Sequence, residues 1–334
     1  NHKFTADSVS NSNAAQENSI AVLPFVNLSN DTANEYLSDG ISEEIINALV
    51  QIPDIKVVGR TSSFAYKGVN DDIRKVGSSL GVTHVLEGSV RISGTIIRVT
   101  AQLIKTEDGF HIWSRNFERE MQDIFAVQDA IAEGVVDELK LRLRGSIYKA
   151  RETTTETYSL YLQGLYLLRS GELDKLEKAA NIFRAATELD PDYAPAWVGL
   201  ADTYWYLTSY GALARAEAVG LAEDACDRAL SLDGRLAEAH NCKANLCMGF
   251  SRDWGRSNMA IGRALELAPG NSRATMLAAS LANTLGNFDQ AIVHLKQAIS
   301  ADPLNLTGHI WLALAYQAID KIDEADAIVR QALD

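Results

Sequence analysis

The stretch that decides the fold of the second half of the chain runs from Asn271 to Pro303 and reads NSRATMLAASLANTLGNFDQAIVHLKQAISADP. Small residues in it let two helices approach closely, and larger apolar residues can fill the seam to a neighbouring pair. These residues are Ala278, Ala279, Ala282, Gly286, Ala291, Leu295 and Ala298. Proline lacks the N–H that a continuing helix needs, so Pro303 ends the second helix. The stretch therefore predicts a helical hairpin.

The same pattern recurs along the second half of the chain. Four alanines stand at one offset before a similar turn phrase, LDP, LDG, LAP or ADP, and Ala332 continues the series. The gaps between successive alanines are 43, 35, 34 and 34 residues. The alanines are Ala186, Ala229, Ala264, Ala298 and Ala332. A period near 34 residues is typical of stacked helical hairpins. No hairpin buries its apolar face alone, so stacking supplies the core.

Period and residue types together resemble tetratricopeptide repeats, and the resemblance covers Tyr158 to Asp334. It implies an all-α solenoid of about five repeats in residues 157–334, the last of them truncated. The gap of 43 residues places an insertion near residues 207–217, and the segment 252–254 adds one residue to the turn of the third repeat. Each is interpreted as a tolerated longer turn, with a local contact surface as the alternative.

The first helices of such hairpins line a concave surface, and this surface is the predicted binding site for a protein or peptide. Asn and Arg side chains there can hold a peptide backbone or a carboxylate. The set lacks the Lys- and Arg-rich clamp of the chaperone-tail-binding members of the family, so that ligand is not expected. The alternative for each residue is a solvated face. By register, the groove residues are Asp202, Trp205, Asn241, Asn245, Arg273, Met276, Asn283 and Gln317.

The first half of the chain predicts a small α/β (or α+β) domain with a mixed sheet. Apolar runs and alternation predict strands over residues 19–25, 55–60, 83–92, 95–106 and 110–119. Helical periods cover residues 35–52, 71–80 and 123–143, and Gly81 is placed as a helix C-cap. The order is strand, helix, strand, helix, three strands, helix.

Several phrases in this order resemble the N-terminal α/β domain of TolB and its relatives, over residues 19–143. They are IAVLPF at 20–25, LSDGISEEI at 37–45, VGRTSS at 58–63, LEGSV at 86–90, WS at 113–114 and FAVQ at 125–128. A TolB-like domain followed by tetratricopeptide repeats is similar to the C-terminal half of bacterial membrane-linked signalling proteins. Their N-terminal output domains are class III adenylate cyclases, winged-helix DNA-binding domains or Ser/Thr kinases.

This resemblance implies a parent protein anchored in a membrane before residue 1. It places the fragment outside the cytoplasm if the parent has a transmembrane helix, for example in the periplasm, and in the cytoplasm otherwise. No stretch of the sequence approaches the roughly 18 apolar residues of a membrane span, so a soluble fragment is expected. Residues 1–18 are interpreted as a flexible lead-in, and residues 144–156 as a linker between the two domains.

Catalytic, metal-binding and cofactor-binding motifs are not found in the sequence, and no catalytic residue, metal or cofactor is predicted. Asp39, Glu43 and Glu44 are interpreted as favourable charge early in a helix. The best small-ligand candidate is Arg60 with the hydroxyls of Ser62 and Ser63, since arginine beside hydroxyl groups can bind an anion. The alternative is an arginine that pairs with a local carboxylate while the hydroxyls cap a turn.

The net charge is −13 and no basic tract stands out, so nucleic acid is not an expected partner. The three cysteines, Cys226, Cys242 and Cys247, fall at helical positions that should face inward. A Cys226–Cys242 disulfide in an oxidising compartment is the alternative to buried thiols.

Together these patterns predict a non-catalytic regulatory and protein-interaction fragment, which binds a protein or peptide through the concave repeat surface and allows a homodimer. The alternative is a small-molecule sensor that controls an N-terminal output domain. An enzyme is the third hypothesis, disfavoured because no catalytic set converges.

Overall fold

The computed structural model describes residues 18–29, 31–139 and 151–333. Within these ranges a small α/β domain is followed by a helical repeat array. Residues 1–17 of the predicted lead-in and residues 144–150 of the predicted linker lie outside the described residues.

The α/β domain has a mixed sheet in the strand order β3-β1-β4-β5-β6, and β2 also pairs with β4. The strands are β1 Ser19–Val22, β2 Val26–Asn27, β3 Lys56–Val57, β4 His84–Ser93, β5 Ile96–Lys105 and β6 His111–Glu120. Pairs of β1 with β3 and β4 are parallel, whereas β4–β5 and β5–β6 are antiparallel. On β5 the predicted alternation is confirmed, because Ile97, Val99, Ala101 and Leu103 are buried and Arg98 is exposed.

Four helices accompany this sheet: α1 Glu35–Leu49, α2 Arg60–Phe64, α3 Ile73–Leu80 and α4 Ile124–Glu138. Helices α1 and α4 belong to the main core on one face, while α3 packs in a separate apolar cluster with Val58 and Val85. Gly81 caps α3 in the left-handed region at φ 64°, as predicted.

Several predicted boundaries in this domain are wrong. The strand predicted over 19–25 ends at Val22, and the helix predicted over 123–143 ends at Glu138. The helix predicted over 35–52 ends at Leu49, and the strand predicted over 55–60 is limited to Lys56–Val57. Arg60 instead begins the short helix α2. At this boundary the amide N–H of Gly59, on the outer side of the edge strand β3, donates to the carbonyl oxygen of Ala301 at 2.7 Å, so the chain contacts the repeats there.

Ten further helices form five hairpins in the described residues. They are α5 Thr155–Arg169, α6 Leu173–Leu189, α7 Ala194–Ser209, α8 Arg215–Leu232, α9 Ala237–Leu246, α10 Trp254–Leu267, α11 Ser272–Thr284, α12 Phe288–Ala301, α13 Leu306–Ala318 and α14 Ile322–Leu333. Thr154 caps α5 by accepting a hydrogen bond from the amide of Thr157 at 3.2 Å.

Both predicted irregularities of the array are visible. The loop 210–214 separates the long helices α7 and α8, at the predicted insertion. In the third hairpin, the extra residue is accommodated by a π-helical turn at Cys247–Ser251, which is followed by Arg252 in the left-handed region at φ 55°. Cys226, Cys242 and Cys247 are buried free thiols in this structure, in agreement with the favoured interpretation of the cysteines.

One stability prediction arises from the packing of β4 on β5. A Cβ atom at Gly88 would stand 2.3 Å from the backbone oxygen of Thr100, which the sheet holds in place. Gly88→Ala is therefore expected to cost about 1–3 kcal/mol of unfolding free energy, measured by chemical denaturation. The matched control is Gly262→Ala in α10, where a Cβ meets no atom within 4 Å, and a gain of about 0.5–1 kcal/mol is expected from helix propensity. Equal effects of the two substitutions would contradict this packing argument.

Candidate functional site

The α/β domain packs against the inner side of the repeat array, beginning at the first repeat. Helix α1 lies on α5, and the hydroxyl groups of Tyr36 and Ser159 are 2.8 Å apart. From α4, the side-chain amide of Gln128 donates to the hydroxyl of Tyr158 at 2.6 Å. The first hairpin is therefore joined to the α/β domain by polar contacts as well as by a shared apolar core.

The same domain reaches the far repeats through the N-terminus of α2. The amide and the hydroxyl of Ser62 both donate to one carboxylate oxygen of Asp302, at 2.8 and 2.5 Å. The hydroxyl of Ser62 in turn accepts from the amide of Leu304 at 2.8 Å. A further link runs from the amide of Gly270 to the carbonyl oxygen of Val50, at 2.9 Å. The turns that precede α11 and α13 therefore hold the α/β domain in place.

A cavity of about 860 Å³ remains between the domain and the array. Its wall is formed by α1, α2 and α4 on one side and by the first helix of each of the five hairpins on the other. Charged groups, apolar side chains and aromatic rings all contribute, the rings being Phe64, Phe125, Tyr161, Tyr193 and Tyr206. Ligand sites of small molecules and short peptides commonly have this size and mixed character.

Four of the eight predicted groove residues line this cavity: Asp202, Asn241, Arg273 and Met276. The other four, Trp205, Asn245, Asn283 and Gln317, are not in its wall. Trp205 instead packs inside the array on Phe250 of the π-helical turn, with ring centroids 4.9 Å apart. Its ring lies directly against Gly249, where a Cβ atom would collide with it. Helical register alone could not reveal this local change.

The predicted anion site does not assemble as a group. Arg60 pairs with a carboxylate, Ser62 is engaged by Asp302, and the buried hydroxyl of Ser63 has no hydrogen-bond partner. Ser62 and Ser63 are fully buried, so they offer no surface shared with Arg60. The contacts thus match the alternative in which the arginine binds a carboxylate.

That carboxylate belongs to Glu43, which joins two arginines across the domain boundary. Its oxygens accept from Arg60 of α2 at 2.8 Å and from Arg169 of α5 at 2.5 Å. Burial by itself would raise the pKa of Glu43, but the charges of Arg169 and Arg60 outweigh it and hold the pKa below its usual value. Glu43 therefore stays ionised and connects the α/β domain to the array.

A second ion pair stands on the array side of the cavity. Arg273 of α11 donates to both oxygens of Asp202 on α7, each at 2.7 Å, in the bidentate geometry that favours arginine. Burial lowers the pKa of the Arg273 guanidinium, but the charge of Asp202 raises it further, and the net shift is upward. The two predicted groove residues are therefore engaged with each other.

Glu44 and Glu238 face the cavity without such partners. Among the described residues neither carboxylate has a basic group within ion-pair distance. Glu44 accepts a 3.3 Å bond from the hydroxyl of Tyr161 and a further hydrogen bond from the side chain of Asn47. Burial, followed by the charges of Glu238 and Glu43, raises the pKa of Glu44 to about 8. Burial also raises the pKa of Glu238. The cavity thus contains two carboxylates that an incoming cation would stabilise.

Sequence reasoning missed Arg169, Glu238, Tyr161 and Tyr193 as wall residues, and it interpreted Glu43 and Glu44 only as helix charge. A charged residue on the inner face of the first helix of a hairpin could have indicated these wall residues. The sequence does not show, however, that α1 lies across this inner face. No group of three or more His, Cys, Asp or Glu in the described ranges is arranged to hold a metal ion. Helices in these ranges do not combine the length and apolar character that crossing a membrane requires.

Comparison with protein families gives two matches. Residues 15–134 match the second domain of HilA/YgeH-like transcriptional regulators, and residues 284–334 match a tetratricopeptide repeat family. The helical half is thus a repeat region of the tetratricopeptide type. The resemblance of the first half to TolB-like domains is not confirmed, since the matching family is the HilA/YgeH-like one.

A curated relative and several solved structures are also similar to the chain. The relative is named "Putative adenylate cyclase 3", from Rhizobium meliloti (strain 1021), and is 40% identical over 188 residues, which is 55% of this chain and 32% of the relative. The chain therefore spans about a third of the length of that protein.

Two of the solved structures illustrate the likeness. A thermophilic TPR protein of Thermus thermophilus is 19% identical and covers 53% of this chain and 90% of its own, with a TM-score of 0.45. PilF of Pseudomonas aeruginosa is 19% identical and covers 53% of this chain and 75% of its own, with a TM-score of 0.44.

Proposed function

We propose that this chain is a non-catalytic regulatory module of a bacterial signalling protein, and that it binds a short peptide segment of a protein partner in the cavity between the α/β domain and the repeats. The observation that carries this proposal is the cavity itself, which is walled by the first helix of every hairpin. These helices provide the binding surface in tetratricopeptide arrays, and the wall offers both apolar area and polar groups.

The position of the α/β domain limits what the array can bind. Because α1 and α2 cover the inner face, a long extended peptide has no free path along it, whereas a short segment fits a space of about 860 Å³. An occupant would touch both domains at once. It would therefore stabilise the docked arrangement relative to an opened one, and a shift of that balance is the signal that we propose is relayed to an output domain.

The output domain is proposed from the relatives. One family match is to a transcriptional regulator and the curated relative is named as an adenylate cyclase, so a cyclase or a DNA-binding domain is proposed for the parent protein. In this proposal the present chain supplies regulation and the missing domain supplies the activity.

A small-molecule sensor is the second candidate function. The cavity volume lies within the range of small-molecule sites, and its polar groups converge from two domains. In this candidate function the same cavity binds a small molecule in place of a peptide.

Filling the cavity tests the proposal. Random heptapeptides displayed on phage would be selected on the wild-type chain, and the affinity of the selected peptides would be measured by fluorescence anisotropy. Met276→Trp inserts a large ring into the wall and is expected to weaken binding at least about tenfold, since lost shape complementarity readily costs about 1.4 kcal/mol. Met259→Trp, at a side chain that is 68% exposed on α10, is the control and should bind as the wild type does.

Two results would oppose the proposal. Peptides that bind both variants equally would place binding outside the cavity. If no peptide is selected, but a metabolite library raises the melting temperature of the wild type and of Met259→Trp only, the small-molecule candidate replaces it.

A further inference from the structure

The charge of the cavity wall is not balanced. Arg60 and Arg169 are both used by Glu43, and Arg273 is used by Asp202. Arg235, at the edge of the cavity, has an interaction of its own. Glu44 and Glu238 are left as carboxylates inside the cavity that no described basic group approaches within ion-pair distance. When these two carboxyl groups ionise, no described base at ion-pair distance balances their negative charge.

A second feature of the wall also requires a hydrogen-bond donor. Asn241 is only 1% exposed and lies in the wall of the same cavity, and its side-chain oxygen accepts no hydrogen bond. The orientation of this amide is fixed, because its nitrogen donates at 3.2 Å to the oxygen of Asn271. That oxygen already accepts from the amide of Ala274 at 3.0 Å, so it cannot donate in return. Turning the Asn241 amide over would place two acceptors face to face.

The two features lie on the same part of the wall. Glu238 and Asn241 are three residues apart on α9 and therefore share one helix face. Glu44 projects from α1 on the opposite side, and the charge of Glu238 acts on it directly. Beside Glu44 stand the rings of Tyr161 and Tyr193, with centroids 5.4 Å apart in an edge-on arrangement. Two carboxylates, an amide oxygen and aromatic rings thus surround one region.

We propose that this region binds an ammonium group, so that the ligand of the cavity is a molecule with a primary amine. An ammonium carries three donors and no acceptor, which matches two carboxylates and one carbonyl oxygen. Tyrosine rings add favourable electrostatic contact with a cation. A lysine side chain of a peptide and a free diamine share this chemistry. The inference rests on the proposed function, because it names the ligand class of the same cavity.

The acetylated form of each amine provides a sharp test. Binding of Ac-Ala-Lys-Ala-amide and of 1,5-diaminopentane to the wild-type chain would be measured by isothermal titration calorimetry, beside the same compounds with acetylated amines. We expect the free amines to bind at least about tenfold more tightly, because acetylation removes the charge and two donors. Tighter binding of the peptide than of the diamine would identify a peptide as the source, and the reverse would identify a small amine.

Acetylation removes the charge of the ligand, and a substitution in the cavity wall removes the opposite charge of the protein. Glu238→Gln keeps the shape of the side chain and is expected to weaken binding of the free amine at least about tenfold while leaving the acetylated compound unaffected. Glu177→Gln, at an exposed position of α6, is the control and should change neither affinity. Circular dichroism and thermal melting of both variants would show that the fold is retained.

The pH dependence gives an independent readout. The groups that face Glu44 are Glu43 and Asn47 on α1, Tyr158 and Tyr161 on α5, Tyr193 before α7 and Glu238 on α9. Since the pKa of Glu44 is about 8, most of it is protonated at pH 7 and must lose its proton when a cation arrives. Affinity for the free amine should rise about fivefold from pH 7 to pH 8 in the wild type and much less in Glu44→Gln.

The outcomes separate the two proposals. Equal affinity for free and acetylated amines, or full binding by Glu238→Gln, would overturn the ammonium site while leaving the cavity as a ligand site. Free-amine binding that persists unchanged in Met276→Trp would place the amine outside the cavity and overturn this inference, whereas the affinity of the selected peptides for Met276→Trp decides the proposed function.

Discussion

Glu43→Gln is expected to lower the free energy of unfolding by about 3 kcal/mol, because it breaks a buried ion pair and leaves two arginines without their charge partner. Glu43 is 6% exposed, and it is the described residue that connects Arg60 of the α/β domain to Arg169 of the first repeat. The measurement is chemical denaturation at pH 7, followed by circular dichroism. Since the bridge spans both parts of the chain, the loss should also lower the cooperativity of the transition.

Glu35→Gln is the control for this result. Glu35 forms an ion pair with Lys67 at 2.8 Å, on the same helix as Glu43, but its side chain is 34% exposed. A pair of this kind contributes about 0–1 kcal/mol. If both substitutions cost the same small amount, Glu43 does not hold the two parts of the chain together.

Glu44→Gln is expected to stabilise the protein, increasingly so as the pH rises. Burial and neighbouring carboxylates raise the pKa of Glu44 from the usual 4.5 to about 8 in the folded chain. Between these values the folded state holds a proton that the unfolded state has released, so this residue makes the stability of the wild type fall with rising pH. The full benefit of the neutral carboxyl is present below about pH 4.5 and is lost as the pH approaches 8. A glutamine cannot ionise, and the variant escapes the loss.

The advantage of Glu44→Gln over the wild type should grow by about 2 kcal/mol between pH 6 and pH 8.5. Denaturation curves of both proteins at these two pH values measure it, and the comparison cancels titration of all other groups. Glu188→Gln, at an exposed site on α6, is the control and should show a pH-independent difference near zero. An advantage that stays constant with pH would mean that Glu44 has an ordinary pKa in the folded protein.

Much of the fold could be predicted from the sequence because its signals are local or periodic. The alternation in β5 and the capping glycine Gly81 depend on neighbours within a few residues, and the hairpins depend on a repeat near 34 residues. Mixed pairing of the sheet was expected from the strand order and is observed. The predicted boundary at Arg60 was wrong at a point where the chain contacts the distant repeats, since the amide of Gly59 donates to Ala301.

The candidate site was predicted only in part. Register placed Asp202, Asn241, Arg273 and Met276 on the inner face, and all four line the cavity. Register did not place Trp205 correctly, because its ring packs on Gly249 and Phe250 of the π-helical turn in the next hairpin, a local irregularity that register does not show. The repeat pattern also predicts an open groove, whereas α1 and α2 lie across it.

The sequence by itself determined that the chain has a mixed α/β domain and a stack of helical hairpins, since burial of one apolar face per helix or strand fixes those elements locally. Tertiary structure alone decided where the two halves meet. The hydroxyl of Ser62 binds Asp302 across 240 residues of chain, and Glu43 binds Arg169 across 126. Such polar contacts leave no periodic trace in the sequence. They depend on the position of whole domains, and these positions also create the cavity and leave Glu44 and Glu238 without basic partners among the described residues.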